Sequence, residues 1–90
     1  MYQVTIDCSE IRDQETFHRV FSQRLRLPAW YGENLDALFD CLTALTKPTT
    51  ITLIGVQVML NNLGSYGRAA INAIEAAERE NSGILTVNII

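Results

Sequence analysis

Three carboxylic acids lie close together in residues 27–43, LPAWYGENLDALFDCLT, and they are the only charged side chains of that segment: Glu33, Asp36 and Asp40. Residues four apart share one face of an α-helix, so Asp36 and Asp40 would stack there. Like charges at that spacing destabilise a helix by roughly 0.2–0.5 kcal/mol. The segment therefore raises the question of what the acids do.

Three aromatic residues border these acids, namely Trp30, Tyr31 and Phe39. Aromatic rings around charged groups are typical of a protein contact surface, although one or two of these rings could instead pack in the core. A solvated acidic face is the simplest alternative. Acid–base catalysis would need a cleft that shields one acid from water. A site for a hard cation would use the same oxygens, but the spacing of a calcium loop is missing.

The composition excludes several classes of protein. The 90 residues predict one domain, residues 1–90, and the hydrophobic content of 48% favours a globular fold. A net charge of −3 without a Lys/Arg cluster argues against direct nucleic-acid binding. No signal peptide or membrane-spanning run is visible, which predicts a cytoplasmic protein. The sequence has no cofactor motif, no metal-ligand spacing and no nucleophile motif, so we expect neither a cofactor nor an enzyme.

The elements that would position the acids follow from hydrophobic periodicity. Tyr2, Val4 and Ile6 alternate with polar residues and predict a strand. A helix capped by Asp13 follows, and Pro28 closes that unit. A second helix is predicted from Asn34, its N-cap, to about residue 46, with conformational freedom supplied by the glycine at position 32.

This second helix is predicted to have two faces. Its leucines cluster on one side, and Asp36, Asp40 and Thr43 cluster on the other, with Phe39 at the border. After it come a short strand at ITLIG, an ambiguous segment that could form a short helix, a helix at RAAINAIEAAERE and a last strand at ILTVNII. This order predicts an α/β fold of two layers, a three-stranded parallel sheet packed against helices on one side.

The segment at residues 27–43 resembles the signature of the barstar family, intracellular inhibitors of secreted barnase-type ribonucleases. The string YGENLDALFDCLT carries the resemblance, and the remainder agrees in element order. The resemblance implies a barstar-like three-stranded parallel sheet. It also implies that a helix and the preceding loop plug the active site of a small cationic ribonuclease, and that the free protein is a monomer.

The resemblance also implies which residues bind the partner. Asp40 would take the place of a substrate phosphate, with Asp36 as the second acid. The full set of implied partner-binding residues is Trp30, Tyr31, Gly32, Asn34, Asp36, Phe39, Asp40 and Thr43. Two departures stand out. Leu45 replaces a second family aromatic. A family glutamate on the last helix falls at Ala76 or Ala77, where Glu75 or Glu78 could substitute.

Two function hypotheses follow. The first is a ribonuclease inhibitor, antitoxin-like, whose carboxylates mimic RNA phosphates and draw in a cationic active site. The alternative is a barstar-fold interaction module that binds another basic protein. A third and weaker hypothesis is a metal-binding or hydrolytic protein that uses Asp36 and Asp40.

Overall fold

The structure, a computed structural model, describes residues 2–90. Its elements, in chain order, are β1 (Tyr2–Asp7), a 3-10 turn (Cys8–Glu10), α1 (Gln14–Leu25), α2 (Leu35–Thr43), β2 (Thr49–Ile54), α3 (Val56–Leu63), α4 (Ser65–Glu80) and β3 (Leu85–Ile89). Within residues 2–90, no helix is long and apolar enough to cross a membrane.

The three strands form one parallel sheet with β2 in the centre. Ile51 of β2 is aligned with Val4 of β1 on one side and with Val87 of β3 on the other. Parallel neighbours need a crossover connection, and the helices between the strands supply it. The predicted three-stranded parallel sheet is confirmed.

The helices cover a single face of this sheet. Side chains of that face are buried with the helices in one core, among them Ile6, Ile51 and Leu53. The opposite face is polar except for one isoleucine, and none of its side chains is buried; from β1 to β3 they are Gln3, Thr5, Asp7, Thr50, Thr52, Ile54, Thr86 and Asn88. The two-layer architecture expected from the sequence is therefore confirmed.

Charged side chains bond to the backbone of both outer strands. On β1, the Arg24 guanidinium donates from Nη2 to the carbonyl of Thr5, at 2.8 Å. On β3, the Glu78 carboxylate accepts a hydrogen bond from the N–H of Val87, at 2.7 Å. A basic group therefore lies at one edge of the sheet and an acidic group at the other.

The helix ends differ in how well the sequence predicts them. Asp13 caps α1 as expected and accepts from the N–H of Thr16, at 2.7 Å. The last helix begins at Ser65, earlier than the expected start at position 68. Gly64, at a φ of 59° and a ψ of −128°, ends α3 and lets the chain turn directly into α4. The segment that the sequence left ambiguous does form a short helix, and this helix is α3.

Candidate partner-binding surface

Side-chain amides hold both ends of α2. At its start, the Oδ1 atom of Asn34 accepts from the N–H of Ala37, at 2.8 Å, as the sequence predicts. At its end, the Nδ2 group of Asn81 donates to the carbonyls of Leu42, at 3.0 Å, and Leu45, at 3.1 Å. The helix stops at residue 43, before the expected end, and Asn81 bonds carbonyls that the ended helix leaves without partners.

Helix α2 packs against α4 through small and branched side chains. Leu38 and Leu42 are buried on its inner face, and Ala70 and Ala77 of α4 belong to the same core cluster. Alanines allow two helices to approach closely. The predicted leucine face is confirmed as the inner face, and this packing fixes the direction of the outer one.

The outer face of α2 carries Asp36 and Asp40, and both are exposed. Among residues 2–90, neither carboxylate forms a hydrogen bond or an ion pair. Glu33, just before the helix, is exposed as well. We call these three residues the acidic surface. No cation of the described chain neutralises the two aspartates, so their charge is directed at solvent.

The loop before α2 has an unusual backbone at Glu33, not at Gly32. Glu33 adopts the left-handed conformation with a φ of 54°, whereas Gly32 has no positive φ. The expectation that Gly32 supplies conformational freedom is therefore wrong. The absence of a side chain at Gly32 leaves room for the Asn34 side chain, because a Cβ at position 32 would lie 3.2 Å from the Asn34 amide nitrogen.

The three aromatic residues occupy different environments. The Trp30 side chain is 79% exposed, Phe39 is half-buried against the core, and Tyr31 is only 7% exposed. The sequence analysis allowed for one or two of these rings to pack in the core. Tyr31 is the one that is buried there. Trp30 borders a cleft formed with Leu25, Leu27, Pro28, Cys41, Ala44 and Leu45.

Tyr31 belongs to a hydrogen-bonded chain that the sequence did not reveal. Its hydroxyl lies 2.6 Å from Nδ1 of His18, and Nε2 of His18 lies 2.6 Å from the hydroxyl of Tyr66. The His18 side chain is buried, with 3% of its surface exposed. Burial lowers the pKa of His18, and the nearby charge of Glu33 partly opposes that change.

The other polar residues of the implied site are engaged within the chain. Thr43 donates from Oγ1 to the carbonyls of Phe39, at 2.9 Å, and Asp40, at 3.2 Å. Asn34 uses its oxygen as the cap and its nitrogen, at 3.3 Å, on the carbonyl of Gly32. Of the implied site residues, the two aspartates alone keep charged groups that are free to meet a partner.

The remaining candidate groups differ from the acidic surface in their burial and bonding. Glu78 is engaged at the edge of β3, and Glu75 is half-buried. Within residues 2–90, no three His, Cys, Asp or Glu side chains are grouped so that they could hold a metal ion. The thiols of Cys8 and Cys41 are free, and burial raises the pKa of Cys8 to about 11, which leaves a poor nucleophile.

Comparison with known proteins identifies a matching family and a similar bacterial protein. The model of a protein family described as Barstar (barnase inhibitor) matches residues 1–87. A protein of Bacillus subtilis (strain 168), named "Putative ribonuclease inhibitor YrdF", is 35% identical over 81 residues, which cover 89% of this chain and 89% of that protein.

Proposed function

This chain belongs to the barstar family, a family of inhibitors rather than enzymes, and we propose that it inhibits a small cationic ribonuclease of the barnase type. In this proposal α2 and the loop before it cover the active site of the enzyme. The acidic surface lies where the phosphates of RNA would lie, because both are arrays of anionic oxygens. The enzyme is then blocked without any chemical step.

One observation carries the proposal, namely two exposed aspartates without internal partners on a helix that is held at both ends. Because neither carboxylate has an internal hydrogen bond, none must be broken when a partner binds. Because Asn34 and Asn81 fix the ends of the helix, the backbone that carries both aspartates is held in place. Charge-assisted hydrogen bonds to arginine or lysine are about twice as strong as neutral ones.

The implied site residues take distinct roles in this proposal. Asp40 is the central acid and Asp36 the second. Trp30 and Phe39 supply apolar contact area beside them. Gly32, Asn34 and Thr43 shape the backbone at the two ends of the contact, and the buried Tyr31 acts through the position of the loop.

A second candidate is an interaction module for another basic protein. Part of the contact set that the family resemblance implies is missing, because Leu45 replaces an aromatic residue. Glu78 holds the Val87 N–H and is not free to replace the family glutamate. These differences would weaken binding to a ribonuclease while leaving the acidic surface unchanged.

An assay of RNA cleavage by barnase tests the proposal. The wild-type chain should suppress cleavage, and Asp40→Ala should raise the inhibition constant at least about 30-fold, the equivalent of about 2 kcal/mol at a central interface residue. The matched control is Glu10→Ala, which removes an exposed carboxylate from the 3-10 turn, away from α2. It should change the constant less than about threefold.

Circular dichroism of Asp40→Ala should match the wild type, since its carboxylate has no internal partner. The proposal fails if barnase and other barnase-type ribonucleases cleave RNA at full rate in the presence of the wild-type chain. Binding to a basic protein that is not a nuclease, lost in Asp40→Ala, would then support the second candidate. Equal losses in Asp40→Ala and Glu10→Ala would contradict both candidates.

A further inference from the structure

The loop of residues 29–34, which follows the partly buried Leu27 and Pro28 and precedes α2, has one inward anchor. Of residues 29–34, five are exposed and Tyr31 alone is buried. The Tyr31 N–H bonds to the carbonyl of Pro28, at 2.9 Å, but that contact lies within the loop itself. The Asn34 side chain likewise bonds to its own segment. The attachment of the loop to the rest of the fold therefore depends on the ring and hydroxyl of Tyr31.

The anchor is a chain of hydrogen bonds through three elements. His18 of α1 lies between the hydroxyl of Tyr31 in the loop and that of Tyr66 in the first turn of α4, at 2.6 Å from each. Phe17 packs edge-on against both His18 and Tyr66, with ring centroids 5.0 and 6.3 Å apart. The imidazole therefore cannot move without moving the loop or α4.

This geometry suits a neutral imidazole and not a protonated one. Neutral histidine has one donor and one acceptor nitrogen, so one tyrosine accepts a hydrogen bond and the other donates one. Protonated histidine has two donors, and the tyrosine that had donated must turn its hydroxyl hydrogen away. Whichever tyrosine it is, its hydroxyl hydrogen loses an acceptor and the buried imidazole ring gains a charge, and both changes cost free energy in the closed form.

We propose that the Tyr31–His18–Tyr66 chain is a proton-operated latch, which holds the loop of the partner-binding surface while His18 is neutral and releases it when His18 takes up a proton. The latch itself is a property of the free chain. Its consequence for a ribonuclease rests on the function proposed above. Acidification would then weaken the inhibitor by displacing Trp30 and the start of α2.

A cleft of about 330 Å³ beside the imidazole, between α1 and the loop, gives the proton access. The charged and titratable groups around His18 are Glu15 and Arg19 of α1, Tyr31 and Glu33 of the loop and Tyr66 of α4. Asp36 of α2 lines a second cleft with Glu33 and Tyr66. Of the charged ones, Glu33 favours the protonated ring. A cationic partner that neutralises Glu33 would remove this stabilisation of the protonated ring. The pKa of His18 should therefore be lower in the complex than in the free chain.

The sign of the pH dependence follows from these environments. Burial lowers the pKa of His18 below the ordinary value of 6.5 that an open loop would restore. The closed form is thus fully favoured above pH 6.5 and loses its advantage as the pH falls through the lowered pKa. One proton can change the ratio of closed to open forms by at most a factor of ten per pH unit.

Nuclear magnetic resonance of the free chain tests the latch, because the sequence has a single histidine and a single tryptophan. Between about pH 8 and pH 4.5, the imidazole signal of His18, the indole N–H of Trp30 and the amides of residues 29–34 should titrate with a common midpoint below 6.5. Far-ultraviolet circular dichroism should stay constant over that range. If His18 titrates while the loop signals stay fixed, or does not titrate before the chain unfolds, the latch does not exist.

Two variants separate the latch from general effects of acid. His18→Gln keeps polar atoms at the site but cannot take up a proton, so the loop signals should no longer change with pH. The same loop transition in this variant would overturn the proposal.

If His18→Gln does not fold, Tyr66→Phe carries the test, since it keeps the titrating ring and removes one hydrogen bond. Its midpoint must differ from that of the wild type, and equal midpoints would overturn the latch.

The dissociation rate of a complex with barnase measures the consequence for inhibition. Each rate is divided by the rate of the same complex at about pH 8, and the titration of the enzyme cancels when the wild type is compared with His18→Gln. The wild-type rate should rise more steeply with acid than the His18→Gln rate, by a factor approaching ten per pH unit below 6.5. Equal slopes would overturn the release step. If barnase does not bind at all, the proposed function fails, and the resonance experiment still decides the latch.

Discussion

The first turns of α1 and α2 place acidic groups in opposite roles. At α1 the charged Asp13 is the N-cap, and its carboxylate accepts from the Thr16 N–H. At α2 the neutral Asn34 is the N-cap, and the acid of the first turn, Asp36, is directed at solvent. The same contrast extends further, since the Asp7 carboxylate accepts from the N–H of Ser9, at 3.0 Å, whereas the Asp40 carboxylate accepts from no group of the described residues.

This contrast shows which carboxylates serve the fold. Asp7, Asp13 and Glu78 satisfy backbone N–H groups and so stabilise the chain. Asp36 and Asp40 repel each other and satisfy nothing inside it. Because an amide caps α2, its acids are left available for a partner, and their contribution should be measurable in binding and not in stability.

The largest expected effect concerns the speed of binding. Raising the ionic strength from about 0.05 M to about 0.5 M should slow association with barnase by a factor of roughly 10–100, because exposed charges steer a cationic partner and salt screens them. In Asp36→Asn combined with Asp40→Asn, stopped-flow rates should depend much less on salt. Asp13→Asn, a control that changes a structural carboxylate, should keep the salt dependence of the wild-type association rate. If it reduced that dependence as much as the double variant does, the distinction between structural and partner-binding carboxylates would be wrong.

A smaller effect is expected at the sheet edge. Glu78→Ala should lower the free energy of unfolding by about 1 kcal/mol, since the Val87 N–H loses its partner in a partly buried place. Glu78→Gln is the matched control, because its amide oxygen can still accept that bond. Urea denaturation measures both. A loss of inhibition without a loss of stability in Glu78→Ala would instead assign this glutamate to the partner-binding surface.

The smallest effect is a change in acid sensitivity at the start of α1. The backbone hydrogen bond from Thr16 holds the pKa of Asp13 below its usual value of 3.8. The stability it contributes is therefore present above that value and is lost as the pH falls through the lowered pKa. In Asp13→Asn, urea midpoints measured between about pH 5 and pH 2 should fall less steeply than in the wild type. Parallel curves would contradict a structural role for this carboxylate.

Features that depend on neighbours in sequence could be predicted. The caps Asp13 and Asn34 follow from residue type and position, and the leucine and aspartate faces of α2 follow from the helical period. The parallel sheet follows from the order of strands and helices. The acidic face was visible in the sequence, while its lack of internal partners needed the tertiary structure.

Features made by distant residues could not be predicted. His18 and Tyr66 are 48 positions apart, and Asn81 bonds the carbonyl of Leu42 in α2, 39 positions earlier. A partial signal for His18 existed, since a rotation of about 100° per residue places it about 20° around the helix from Leu25, which packs against the core. The left-handed backbone of Glu33 had no signal, because glycine at position 32 was the more obvious candidate.

The two outer strands of the sheet have a consequence for the behaviour of the chain at high concentration. A strand from another copy could extend the sheet only by displacing Arg24 from β1 or Glu78 from β3. Either displacement would strip a charged side chain from its backbone partner, and such blocked edges oppose stacking of chains into fibrils. Variants that remove both side chains should therefore aggregate before the wild-type chain does.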